Sequence, residues 1–89
     1  MPVPYVDYST ETRIDSIPFT APKDLFVLAA IVAAATNMGC VMYVNNKRVG
    51  QNNNLSACTI GFFVRKGDVI TKSELGEVAY CYVYDIKWK

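Results

Sequence analysis

Apolar and polar positions alternate with a period of two through most of the chain, and that period is the signature of β-strands. Residues 78–87 place Tyr80, Tyr82, Tyr84 and Ile86 on one side and Ala79, Cys81, Val83 and Asp85 on the other. Residues 56–66 divide the same way, with Ile60, Phe62 and Val64 opposed to Thr59, Gly61, Phe63 and Arg65. A tight Lys66-Gly67-Asp68 turn and a short strand over 69–72 follow. Upstream, two β-favouring runs at 40–44 and 47–51 flank Asn45-Asn46. Asn tolerates positive φ better than any residue except Gly, and a two-residue type I′ hairpin turn demands positive φ at both central positions. The pattern predicts a hairpin closed by those two residues.

Residues 25–35, LFVLAAIVAAA, break the alternation. Eleven unbroken apolar residues are too short for a transmembrane helix, which takes about 20. Helix and strand both stay open: alanines favour a helix and Asp24 sits where a cap would, yet a helix apolar all round must be covered on every side. A central strand fits better, with a second sheet over one face and a neighbouring subunit over the other. Thr36-Asn37-Met38-Gly39 then turns the chain. Residues 16–21 read as a short edge strand, because Pro18 cannot donate to a central ladder. The first fifteen residues, with Pro2, Pro4 and no clear period, read as an arm or linker holding one short strand near Arg13-Ile14. The expected organisation is an N-terminal arm at 1–15 and a β-sandwich domain at 16–89, all-β and antiparallel.

Composition adds a need for partners. A chain of 89 residues is one small domain that buries only about 60 to 65% of its unfolded surface, while 52% of its residues are apolar. Surplus apolar area points to self-association. A net charge of +1 with scattered Lys and Arg gives little electrostatic footprint for nucleic acid or an anionic membrane, so neither is expected as a partner. Cys40, Cys58 and Cys81 are widely spaced in apolar runs, and with no His in the chain they read as small buried thiols in a reducing compartment, not as zinc ligands. The N-terminal residues lack the basic start and apolar stretch of a signal peptide. The Asn54-Leu55-Ser56 sequon reads as accidental. No GxSxG, phosphate loop or carboxylate cluster appears, so no enzyme, metal or cofactor is expected. The tyrosine stripe of Tyr80, Tyr82 and Tyr84 suits either an ordinary core or a subunit interface, and interface is preferred.

The order Thr20-Ala21-Pro22-Lys23-Asp24, apolar strand, Tyr43-Val44-Asn45-Asn46, Val64-Arg65-Lys66-Gly67-Asp68-Val69 and a closing aromatic strand resembles the small jelly-roll tip domains of bacteriophage tail fibres and related receptor-binding proteins. Trimeric complement-like and tumour-necrosis-factor-like domains share much of this turn chemistry. Leu25 and Asn46 stand where the tip domains usually carry Gly. The resemblance spans residues 16–87 and implies a jelly-roll-like homotrimer at a fibre end, made in the bacterial cytoplasm and carried on the virion. It implies recognition of a host cell-surface glycan or protein. Three weak sites held together would gain avidity. Planar amides and aromatic faces suit sugars, which makes Asn45, Asn46, Lys47, Arg48, Gln51, Asn52, Asn53 and Asn54 candidates, with Tyr43 and Trp88 as stacking surfaces. A structural trimerisation or capping module with no ligand of its own is the alternative.

Overall fold

A computed structural model of the chain describes residues 1–36 and 38–89, and these form eight strands: β1 (Pro4–Arg13), β2 (Phe19–Thr20), β3 (Leu25–Val32), β4 (Cys40–Val44), β5 (Lys47–Asn52), β6 (Cys58–Val64), β7 (Val69–Lys72) and β8 (Glu77–Trp88). The strands make two antiparallel four-stranded sheets, sheet A in the order β1-β8-β3-β6 and sheet B in the order β2-β7-β4-β5. The chain changes sheet at every connection except the β4–β5 hairpin, which produces the wrapped strand order of a jelly roll. The expected all-β antiparallel sandwich is the observed fold.

The run that permitted helix or strand is the central strand β3, paired with β8 on one side and β6 on the other. It stops at Val32, short of Ala35. Leu25, Val27, Ala29 and Ile31 point into the sandwich and are buried with Cys40, Met42, Phe62, Val64, Ile70, Cys81 and Val83. Burying each large side chain of that set contributes roughly 1.5 to 3 kcal/mol. The other face of β3 looks out of sheet A, where Phe26 and Leu28 stay half-buried. Their cross-strand neighbours on β8 are Tyr84 and Tyr82, so the tyrosine stripe lies outside the inter-sheet core.

Two expectations need correction. The N-terminal segment holds a ten-residue strand that pairs along β8, and Arg13 is only its last residue. Proline at position 4 is tolerated because β1 is an edge. Cys40 and Cys81 are buried, but Cys58, the first residue of an edge strand, is exposed. The turn expected over residues 36–39 includes Asn37, which lies outside the described residues; the flanking Ala35 and Met38 form a β-bridge.

Beyond Leu25, β1 and β8 continue as a two-stranded ribbon through Pro4↔Trp88, and reciprocal backbone bonds between Val3 and Lys89 close it. The ribbon helps draw the molecule out to 47 Å against 23 and 22 Å.

Candidate binding surfaces

The candidate amides sit at opposite ends of sheet B, separated by β5, whose six residues span about 20 Å. At one end Asn45 and Asn46 form the hairpin tip with φ of 50° and 66°, the type I′ geometry the sequence predicts. Asn46 takes the left-handed conformation although it is not Gly. The Asn45 amide clamps the neighbouring β6–β7 turn: Nδ2 donates to Asp68 Oδ1 at 2.8 Å and Oδ1 accepts from Val69 N at 2.9 Å. Asp68 also accepts from Arg65 N, and these backbone and amide donors hold its carboxyl below the ordinary value. Lys47 and Arg48 are exposed just behind the tip, and Arg48 is the cross-strand partner of Tyr43 on the outer face of sheet B.

At the other end, Asn52 is buried, only 5% exposed. Its Nδ2 donates to Ile31 O at 2.7 Å and Ser56 O at 2.9 Å, and its Oδ1 accepts from Asn54 N at 2.9 Å. One side chain therefore ties β3, β5 and the β5–β6 loop together. The loop it fixes encloses an open groove of about 970 Å³, lined by Gln51, Asn53, Asn54, Leu55, Ser56 and Thr59 among others. Gln51 Nε2 donates to Asn53 Oδ1 at 3.0 Å, which links the two amides. The lining has amides, hydroxyls and the exposed Leu55, and among the described residues it includes no carboxylate, guanidinium or amine. Such a surface can hydrogen-bond a neutral polar ligand, and the exposed Cys58 thiol also lines it.

Trp88 belongs to neither amide cluster. It stands on the ribbon beyond sheet A, beside an apolar notch shared with Pro4, Phe63, Val64 and Ile86. Phe63 is 65% and Trp88 60% exposed, so the outer face of sheet A carries a run of apolar surface larger than the tyrosines alone.

Within that run the three tyrosines differ. Tyr80 and Tyr82 are half-buried with ring centroids 5.5 Å apart, and Tyr80 Oη lies 3.1 Å from Thr59 Oγ1. Tyr84 is already covered. Between Asp7↔Asp85 and Thr12↔Val83, β1 carries residues 8–11 against Tyr84 alone on β8. That bulge sets Tyr8 edge-on to Tyr84 at 5.3 Å, and Phe26 flanks it from β3. Glu11 Oε1 accepts the Tyr84 hydroxyl at 2.6 Å, and this carboxylate contact, with burial, pushes the phenol up to about 12 from its ordinary 10.0.

The outward facing of Phe26 and Leu28 was hidden in an unbroken apolar run, but the exposed Phe63 was legible in the alternation of β6. The bulge was not, because a register shift leaves no periodic trace in sequence. Burial pushes the Cys81 thiol up to about 11 and the Cys40 thiol upward, which makes both poor nucleophiles. No protein-family model, no curated protein and no solved structure matches this chain.

Proposed function

We propose that this domain is a non-enzymatic recognition module, working as a homotrimer at a fibre tip like those of bacteriophage tails and binding a glycan or protein on a host cell surface. The β5–β6 groove carries the reading. Its uncharged amides and hydroxyls match the hydroxyl-rich edge of a neutral sugar, Leu55 offers an apolar contact, and the buried Asn52 holds the loop rigid, which lowers the entropic cost of binding. The apolar outer face of sheet A supports self-association, with Tyr80 and Tyr82 accessible and Tyr84 behind them as backing. Proteins of this kind would be made in the bacterial cytoplasm and carried on the virion.

The test is binding to host cells and to their purified neutral surface polysaccharide by a Gln51→Ala, Asn53→Ala, Asn54→Ala variant that retains Asn52. Each lost hydrogen bond is worth roughly 0.5 to 1.5 kcal/mol, so affinity is expected to fall at least about tenfold while the fold survives. Unchanged binding would sink the groove. A structural capping module with no ligand is the second reading, and one observation favours it: Asn45 and Asn52 spend their amides on internal bonds. A stable oligomer of the intact chain with no affinity for any host surface would establish that role instead.

A further inference from the structure

Each sheet has two edges, and three of the four edge strands carry features that discourage pairing with another chain. β1 has Pro4, three charged residues at Asp7, Glu11 and Arg13, and a four-against-one bulge. β2 is two residues long between Pro18 and Pro22. β5 begins with Lys47-Arg48 and has an irregular register opposite Met42 and Tyr43. Short length, charge, proline and bulges are the means by which natural sheets block edge pairing.

β6 has none of them. Its seven residues, CTIGFFV, contain no charge and no proline, and they pair with β3 in unbroken register from Leu25↔Val64 to Ile31↔Cys58. Among the described residues, no strand lies on its other side and no turn or loop backbone bond reaches it. Half of its backbone donors and acceptors face outward along an uncharged edge in unbroken register. A full-length unprotected edge beside three protected ones is a pairing surface.

We infer that β6 pairs antiparallel with β6 of a second copy of this chain about a two-fold axis through Gly61. The strand is its own antiparallel complement. Centred on Gly61, Ile60 meets Phe62 of the second copy, Thr59 meets Phe63, and Cys58 meets Val64, so each inward residue faces an inward one and each outward residue an outward one. Arg65 and Lys66 then lie opposite Ala57 and Ser56 of the second copy, and no like charges face each other. Parallel pairing in register would bring Arg65 and Lys66 against their own counterparts. The contact is isologous and extends sheet A from four strands to eight. A two-fold edge contact neither requires nor forbids a three-fold assembly elsewhere on the molecule, but it borders the proposed groove, which Ser56, Cys58 and Thr59 also line, so it is judged by mass and amide exchange and not by host binding.

The test uses the intact chain and two double variants, Thr59→Lys with Phe63→Lys and Thr59→Glu with Phe63→Glu, at positions that are exposed on β6. Each double variant sets two like-charged pairs directly across the axis. Light scattering gives the mass, and hydrogen exchange reads the amides of residues 58–64. The expected result is an even-numbered assembly of the natural chain with those amides protected. In each double variant the mass is halved and the protection lost, and mixing the Lys and Glu variants restores both. Restoration on mixing excludes simple unfolding. A natural chain that is monomeric, or variants that keep its mass and protection, overturns the inference. A trimer with freely exchanging 58–64 amides overturns it and leaves the fibre-tip reading intact. An edge-paired dimer that binds no host surface overturns that reading and leaves this one.

Discussion

Asn52 shows how one side chain acquires a role that its neighbours in sequence do not share. In the run Gln51 to Asn54, four amides look alike, yet only Asn52 points into the sandwich, where three hydrogen bonds leave no polar atom of its side chain free for a ligand. Replacing it by Ala removes the side-chain bonds to Ile31 O, Ser56 O and Asn54 N and releases the β5–β6 loop. The expected loss is roughly 1.5 to 4.5 kcal/mol, from three bonds at about 0.5 to 1.5 kcal/mol each. Urea unfolding of Asn52→Ala checks it, as a lower midpoint with unchanged slope. Asn45 is engaged in the same way at the other end. The other candidate amides and cations, Gln51, Asn53 and Asn54 at the groove and Asn46, Lys47 and Arg48 at the tip, are exposed.

Among the elements, β1 departs furthest from what its composition promised. Its polar, proline-containing sequence reads as a tether, but ladder hydrogen bonds are made by backbone and do not require apolar side chains. Its bulge then gives polar residues specific partners: Thr10 Oγ1 accepts Asp85 N at 2.7 Å, and Glu11 holds Tyr84. Lys87 Nζ lies 2.8 Å from Asp7 Oδ2, and this contact, helped by Ser9, holds the Asp7 carboxyl down at about 2. The tyrosine has a testable signature. Its raised value means that the fold favours the neutral phenol; that stabilisation is complete below about 10 and is lost as pH rises through about 12. Glu11→Gln removes the negative charge beside the hydroxyl. Tyr84 is then expected to ionise closer to its ordinary value, read as tyrosinate absorbance in an alkaline titration. A titration identical to that of the natural chain would count against the contact.

For the molecule as a whole, the consequence is that β8 depends on β1. Removing residues 1–13 leaves β8 a long apolar edge strand and strips Tyr84 of both Tyr8 and Glu11. The truncated chain is expected to lose cooperative melting, or to aggregate at temperatures where the intact chain stays folded. Thermal unfolding followed by light scattering distinguishes these from the behaviour of a dispensable arm, which would leave the melting temperature unchanged. In this small sandwich the outer face of sheet A exposes Phe63 and Trp88, and the β6 edge is an uncharged strand.

Strand identity and most boundaries were legible because alternation and turn chemistry are local: β4 over 40–44, β7 over 69–72 and the Asn45-Asn46 turn follow from residues next to one another. The helix-or-strand ambiguity at β3 was not local. Its apolar run is resolved by β8 and β6, which flank it from distant parts of the chain. Candidate amides could be recognised by type, but their orientation depends on which backbone carbonyls the fold brings within reach, as Ile31 O is brought to Asn52. The same holds for Tyr84, whose place in one stripe was visible in the alternation of β8, while the stripe's facing outward and its cover depend on the pairing of distant strands and on a bulge at the opposite end of the sequence. Periodicity records which way a residue faces along its own strand; only the pairing of distant strands decides what it faces.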